Sequence, residues 1–223
     1  MKRTSAWVVG IVGVLATLAG ATIAIGIREA ASLPIERHLS VHLPGWPRNA
    51  SPVRVALLSD IHLGNRAMSL ERLHSVVAQV NAARPDLILI AGDFVVGHDA
   101  LGASERAADL EVPLSRLNAP LGVIAVLGNH DHWTAPNAIR DALTRARITV
   151  LENRAVRRGP VTVIGVDDAF SGHDDLESAI ASSARIGGIP IVLTHSPDLV
   201  PKLRGGFHLV VAGHTHCGQV VLP

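Results

Sequence analysis

Residues 123–131 read Val-Ile-Ala-Val-Leu-Gly-Asn-His-Asp, an apolar run followed directly by polar residues that can bind metals. The same arrangement recurs along the chain. Short apolar runs bounded by turn residues are typical of buried strands. The runs and the clusters behind them are 53–58 with Ser59-Asp60-Ile61-His62, 87–91 with Gly92-Asp93, 123–127 with Gly128-Asn129-His130-Asp131, 189–193 with Thr194-His195, and 209–212 with Gly213-His214-Thr215-His216.

A strand that ends in such a residue presents it at the carboxyl edge of a sheet, where α/β proteins bind ligands. We therefore expect five strands to converge on one edge and to form a site for two metal ions. Carboxylate, amide and imidazole groups suit Mn, Fe, Zn, Ni or Co. An Asp can bridge two such ions, and a water between them would become the attacking hydroxide near neutral pH. A structural role remains open for each His taken singly, but not for five clusters together.

The order Asp-x-His, Gly-Asp, Gly-Asn-His-Asp, His and Gly-His-x-His resembles the calcineurin-like metallophosphoesterases, from about Val53 to the end of the chain. The sequence Ser-Asp-Ile-His-Leu-Gly, an N-terminal apolar segment and Gly-His-Thr-His-x-Gly-Gln resemble the bacterial membrane-associated branch. That branch includes phosphodiesterases and the hydrolase that cleaves UDP-diacylglucosamine in lipid A synthesis. The resemblance implies an α/β fold in which two mixed β-sheets stack as a sandwich flanked by helices, with the metals at one end.

The resemblance also implies a role for each polar residue of the motifs. The cofactors would be two divalent metal ions, such as Mn, Fe or Zn. The first ion would be held by Asp60, His62 and His216, the second by Asn129, His195 and His214, and Asp93 would bridge the two.

The implied catalytic residues are His130, which would contact the phosphate and protonate the leaving oxygen, and Asp131, which would orient the imidazole or its loop. Many phosphatases of the superfamily pair this His with an Asp three residues after Gly-Asp, where this chain has Val96. Asp99, Asp131 or Asp60 is the candidate replacement. Cys217 stands where the branch usually carries Gly.

Candidate substrate-binding residues lie beside these motifs. Arg66 follows the first motif and could reach a phosphate, because Arg favours bidentate phosphate contacts. His132 and Trp133 follow the catalytic loop and could line the leaving-group pocket. Solvated or structural roles are the alternatives. Asp167-Asp168 and His173-Asp174-Asp175 fall outside the motif series and are predicted to cap a loop and the following helix.

Composition limits the class of protein. The chain has 223 residues, enough for one substantial domain, and a net charge of +1, which gives no indication of a nucleic-acid surface. A single Cys excludes an intrachain disulfide.

The N-terminal part is organised around residues 6–27, which are uncharged and long enough to span a bilayer. We expect a short basic N-terminus (1–5), a transmembrane anchor (6–27) rather than a cleaved signal, a Pro-containing linker (28–51) and a phosphoesterase domain (52–223). Lys2 and Arg3 favour a single-pass protein of the inner membrane with its domain on the extracytoplasmic side. Arg28, Arg37 and Arg48 weaken that orientation.

Several elements are predicted within the domain by spacing. Leu70, Leu73, Val77 and Val80 indicate a helix with Ser69 as N-cap. Further helices are expected at 103–117, at 136–146 with Thr134 as N-cap, and at 174–184. Strands are expected at 161–166, at an edge position in 35–43, and as a short hairpin joining Val150 and Val156. Relatives continue beyond Pro223, so C-terminal strands are expected to be missing and the chain to be weakly stable.

The function implied is hydrolysis of a phosphodiester or pyrophosphate, with a lipid-linked substrate favoured by the anchor. A metal-dependent nuclease or protein phosphatase on the same fold is one alternative, and an inactive truncated scaffold is the other. The oligomeric state is left open.

Overall fold

The computed structural model describes residues 2–98, 100, 102–203 and 205–216, with side chains from Trp7 onward. The chain divides into two compact units, Met1–Glu36 and Arg37–Pro223, and each is described by itself.

The first unit contains one long helix, α1 (Lys2–Ala30). Its segment Trp7–Ala30 is long and apolar enough to cross a membrane, by length and composition. Two polar side chains are satisfied within the helix, because the hydroxyls of Thr17 and Thr22 donate to the carbonyls of Gly13 and Leu18. Such internal bonding is what a helix in a low-dielectric medium needs.

The second unit alternates strands and helices. In chain order, its described elements are β1 (Val55–Leu58), α2 (Leu70–Ala82), β2 (Leu87–Ala91), α3 (Ala103–Leu114), β3 (Val123–Val126), α4 (Asn129–Thr134), α5 (Pro136–Arg145), β4 (Thr149–Val150), β5 (Arg154–Arg158), β6 (Val161–Gly165), α6 (Leu176–Ser183), β7 (Ile189–Leu193), a 3-10 helix (Pro197–Lys202) and β8 (Val210–Val211). They build two four-stranded sheets, ordered β1-β2-β3-β4 and β5-β6-β7-β8. The first sheet is parallel, and the second is parallel except that β5 runs antiparallel to β6.

Strand β2 shows why these runs are apolar throughout. Leu87 and Leu89 pack with residues of β6 and β7 from the second sheet, such as Val163. Ile88 and Ile90 point the other way and pack with residues of helices α2 and α3. Because both faces are buried, the strand is a continuous apolar run rather than an alternating one. The α/β sandwich of two sheets flanked by helices is therefore as predicted.

The structure differs from the expectation that five strands converge on one edge of a sheet. The five strands behind the polar motifs do not share one sheet edge: β1, β2 and β3 belong to the first sheet, while β7 and β8 belong to the second. The predicted hairpin is also wrong, because Val150 lies in β4 of the first sheet and Val156 in β5 of the second. Spacing locates strands, but it carries no information on which sheet receives them.

Helix boundaries were predicted with mixed success. Ser69 caps α2, since its side chain accepts a hydrogen bond from the backbone N–H of Arg72. Thr134 is not the N-cap of α5; Ala135 holds that position, and the Thr134 hydroxyl donates to the carbonyl of His130. The helix expected at 103–117 ends at Leu114. Residues 35–43 contain no strand.

Candidate metal centre

Both sheets deliver their polar motifs to the same place. Each motif begins within three residues of a strand end, and the ligand atoms of Asp60, His62 and His216 lie within 4.8 Å of one another, as do those of Asp60, Asp93 and His195. The stacking of two sheets thus brings together side chains that are far apart in the sequence.

The first group of donor atoms lies around the loop after β1. His62 Nε2 is 3.3 Å from His216 Nε2 and 3.5 Å from Asp93 Oδ2. His216 Nε2 is in turn 3.5 Å from Asp60 Oδ1. Asp60 and His62 of the first motif and His216 of the last therefore face the same small volume as the Asp93 carboxylate.

The second group lies around the end of β7. Asn129 Oδ1 is 3.1 Å from His195 Nε2 and 3.0 Å from His214 Nδ1, and the two imidazole nitrogens are 3.3 Å apart. Asp93 Oδ2 is 3.3 Å from His195 Nε2. The same oxygen therefore faces both groups.

These distances and donor types fit cations. Atoms about 2.1 Å from one metal, at angles of roughly 90–110°, lie about 3.0–3.4 Å apart. The His195 Nδ1–H donates to the carbonyl of Ala91 at 2.6 Å, which leaves Nε2 with a lone pair directed at Asn129 and His214. Lone pairs that converge in this way repel unless a proton or a metal lies between them, so the residues present suit metal ligation.

The backbone conformation at this centre is unusual. Eight described non-Gly residues have positive φ, and they include Asp60 (54°), His62 (48°), Asp93 (58°), His214 (69°) and His216 (50°). The left-handed region is disfavoured for residues with a Cβ. Such conformations persist where the surroundings enforce them, and they concentrate at functional sites.

Burial and charge shift the protonation of the centre. The pKa of Asp93 is lowered, because hydrogen bonding and charge from His195 outweigh the raising effect of burial. The pKa of His195 is raised to about 9, because the hydrogen bond and charge of Asp93 outweigh burial, which lowers it. Burial lowers the pKa of His62. In the protein without metal, the proton shared by Asp93 and His195 offsets the converging lone pairs.

His130 sits at the edge of both groups. Its backbone N–H donates to Asp93 Oδ1 at 2.9 Å, and its ring lies edge-on to that of His62, with centroids 4.8 Å apart. The side-chain Nδ1–H donates to the carbonyl of Gly97 at 2.5 Å. The imidazole is therefore oriented by a backbone carbonyl.

Neither Asp131 nor Asp60 is the carboxylate partner of His130 Nδ1, which contacts the Gly97 carbonyl. Asp131 binds backbone N–H groups, and Asp60 accepts from Ser59 Oγ and the His214 N–H. Asp99 lies outside the described residues. A carbonyl can be supplied by any residue type, so the sequence held no signal for Gly97.

Asp131 is fully buried and accepts hydrogen bonds from four backbone N–H groups. The donors are those of Asp93 (2.9 Å), Phe94 (2.8 Å), Val95 (3.4 Å) and Gly128 (2.9 Å). Of the two roles expected for Asp131, orienting the loop matches these contacts, and orienting the imidazole does not. Burial and the charge of Asp93 raise the pKa of Asp131 to about 7.

The two loops bound by Asp131 approach very closely. A Cβ on Gly92, where φ is +80°, would lie 2.7 Å from the backbone nitrogen of Gly128. A Cβ on Gly128 would overlap the Asp93 carboxylate. Glycine is thus required on both sides of this contact, and it allows Asp93 to lie against the loop that carries Asn129 and His130.

The remaining candidates lie elsewhere. Arg66 is exposed in the loop after β1. His132 Nε2 is 2.8 Å from Asp167 Oδ1, an ion pair that raises the His132 pKa despite its burial. His132 therefore contacts the loop after β6, and its role beside the leaving group stays a prediction. Asp175 caps α6, as expected for that cluster, and Cys217 lies outside the described residues.

Replacing Asp131 with Asn should destabilise the protein by about 1–3 kcal/mol, the cost of leaving buried donors unsatisfied. The new amide N–H₂ would face N–H groups that now donate to a carboxylate oxygen. The free energy of unfolding in urea measures the effect, and Asp141→Asn, at an exposed position of α5, is the matched control. Equal stability of the two variants would contradict the structural role of Asp131.

Comparison with known proteins agrees with this geometry. The sequence model of the calcineurin-like phosphoesterase family matches residues 53–218. The Bacillus subtilis metallophosphoesterase YkuE is 30% identical over 185 residues, which cover 79% of this chain and 63% of YkuE. A zebrafish (Danio rerio) transmembrane protein with a metallophosphoesterase domain is 30% identical over 226 residues, covering 93% of this chain and 50% of that protein.

A metallophosphoesterase of Aquifex aeolicus is 32% identical over 174 residues, which cover 74% of this chain and 64% of the relative. The chain thus spans about half to two thirds of the length of these three relatives. The match to the family covers most of the chain and includes every polar motif described above. The chain belongs to the calcineurin-like phosphoesterase family.

Proposed function

We propose that residues 52–223 form a hydrolase domain that uses two divalent metal ions to cleave a phosphodiester or pyrophosphate bond. The observation that carries the proposal is the position of Asp93 Oδ2, which is 3.5 Å from His62 Nε2 and 3.3 Å from His195 Nε2. One carboxylate oxygen that faces two groups of donors is the arrangement expected of a bridging ligand.

The ligands follow from the two groups of donor atoms. Asp60, His62 and His216 would hold one ion, Asn129, His195 and His214 the other, and Asp93 both. The mixture of carboxylate, amide and imidazole suits Mn, Fe or Zn. When bound, such ions supply Lewis acidity at the phosphoryl oxygens and lower the pKa of water enough for it to attack.

His130 is the proposed general acid. Because its Nδ1–H is held by the carbonyl of Gly97, Nε2 is the nitrogen from which a transferable proton would leave. The His130 ring is within reach of the centre, with a nitrogen less than 4.8 Å from the ligand atoms of His62 and Asp93. In its protonated form it can donate to the departing oxygen, while the backbone bond to Asp93 keeps it at the centre.

Asp93→Asn and His214→Ala should each abolish hydrolysis of bis-p-nitrophenyl phosphate and lower the metal content of the purified protein. His208→Ala, at an exposed position outside the centre, is the control for loss of a His. Elemental mass spectrometry and nitrophenolate release are the two measurements. Full activity of the Asp93 variant would refute the proposed function.

His130→Ala should retain the metals but lose rate, because it removes only a proton donor. General acids contribute about 10²–10⁴-fold. The loss should be larger for diphenyl phosphate than for bis-p-nitrophenyl phosphate, because phenolate is the more basic leaving group and needs the proton more. An equal loss on both substrates would contradict the role of general acid.

Metal should stabilise the protein more strongly as the pH rises from 6.5 to 9. In metal-free protein the raised pKa of His195 gives stability that is complete below about 6.5 and lost as the pH rises through about 9. A metal needs the deprotonated imidazole, so the affinity of the protein for metal rises as the pH rises. Thermal melting with and without chelator measures the difference, and a difference independent of pH would contradict this linkage.

We further propose that α1 anchors the domain to the inner membrane, with residues 28–51 as a linker and a lipid-linked envelope substrate of the UDP-diacylglucosamine type. The support is the apolar segment Trp7–Ala30 and a relative described as a transmembrane protein. The basic residues at positions 2 and 3 favour an extracytoplasmic domain. The net charge of +1 does not favour the alternative of a nuclease.

Deleting residues 1–36 should release the protein from membranes while leaving its metal content unchanged, because the two units are compact separately. Flotation with liposomes and elemental analysis of the same samples measure both properties. Co-flotation of the shortened protein would contradict α1 as the anchor.

A further inference from the structure

Large aromatic side chains are scarce in this protein, which has three Trp, three Phe and no Tyr. In the second unit, Phe94 is fully buried and Trp46 and Phe207 are half-buried. Only Trp133 and Phe170 among these described aromatics are exposed, at 39% and 52%. Exposed aromatic surface is most informative where it gathers near a site.

Trp133 and Phe170 gather at the candidate metal centre. The ring of Trp133 lies 5.3 Å from that of His130, and the ring of Phe170 lies 4.6 Å from that of His214. The two exposed rings are 6.0 Å apart in an edge arrangement, and His98 lies 5.5 Å from Trp133. We call His98, Trp133 and Phe170 the aromatic rim.

The rim is assembled from separate parts of the fold, each held in place. Trp133 is on α4, three residues after His130, while Phe170 is in the loop after β6. That loop is tied to α4 by the pair of His132 and Asp167, and it is braced by the buried Asp168, which accepts from the Ser171 N–H at 2.7 Å. The exposed rings are therefore preorganised, which lowers the entropy cost of binding a ligand on them.

We infer that the aromatic rim binds a planar aromatic group attached to the substrate phosphate, on the side of the leaving oxygen. The inference rests on the proposed function, since it uses His130 to define that side. Partly exposed ring faces favour stacking with a flat π-system, and each such contact is worth on the order of tenfold or more in affinity. A nucleobase and a simple aryl group share this chemistry.

Binding to the full-length, Mn²⁺-loaded protein in detergent, measured by calorimetry, tests the inference with two matched pairs of ligands. Phenylphosphonate should bind about tenfold more tightly than methylphosphonate. If the rim accepts nucleobases, AMP should likewise bind more tightly than ribose 5-phosphate. Tighter binding of phenylphosphonate alone would identify a simple aryl ligand. Tighter binding of octylphosphonate than of phenylphosphonate would overturn the inference, because it would identify an apolar chain.

Variants assign the effect to the rim. The double variant Trp133→Ala with Phe170→Ala should bind the aromatic and the non-aromatic ligand of each pair with nearly equal affinity, so both affinity ratios should fall close to one. Its affinity for inorganic phosphate should be unchanged. Trp133→Phe should keep most of the preference for the aromatic ligand. Val112→Ala, at an exposed position of α3, is the control for loss of surface apolar area. Unchanged ratios in the double variant would overturn the inference and leave the proposed function standing. Failure of the wild type to bind inorganic phosphate would overturn both.

Discussion

The centre depends on one buried carboxylate. Asp131 gathers N–H groups from the loop after β2 and from Gly128 after β3, and so locks the two strand ends together. This contact sets the Asp93 carboxylate against the N–H of His130. An ionised carboxylate can accept hydrogen bonds from all of these donors. One side chain therefore satisfies buried backbone N–H groups that lie beyond the ends of the two strands. The bridging candidate and the candidate acid are thereby placed by a residue that contacts neither substrate nor metal in the proposed scheme.

A second constraint acts on the donor atoms themselves. His62 and His216 direct nitrogens at each other at 3.3 Å, and His195 and His214 do the same. His62 and His195 are buried while His216 is exposed, and two neutral imidazoles at this distance can share at most one N–H···N hydrogen bond. The left-handed backbone at several of these residues adds local strain. A cation held by these nitrogens in the proposed scheme would offset both the close approach of their lone pairs and the local backbone strain, which is the usual relation between a metal site and stability.

The sequence predicted the features of the fold and of the candidate site that depend on residue type. Strand ends were found because their hydrophobic runs are buried on both faces, and the polar motifs were found because ligation requires particular side chains. The partition of strands between two sheets was missed, since β4 and β5 are adjacent in the chain but pair in different sheets. The Gly97 carbonyl that orients His130 was missed for a related reason: a backbone acceptor leaves no trace in residue identity. The ligand assignment itself remains a prediction, supported by the distances described.

The aromatic rim shares one helix with the centre and takes its other exposed ring from a separate loop. The donor atoms are fixed by strand ends and by close glycine contacts, which tolerate little change. Trp133 lies on α4, the helix that also carries Asn129 and His130, while Phe170 lies in the loop after β6, which the buried pair of His132 and Asp167 joins to that helix. Phe170 therefore belongs to a segment outside the polar motifs, although its ring lies 4.6 Å from that of His214. In the proposed scheme, selectivity for the group attached to phosphorus would depend on Trp133 and Phe170, and hydrolysis on the residues of the centre.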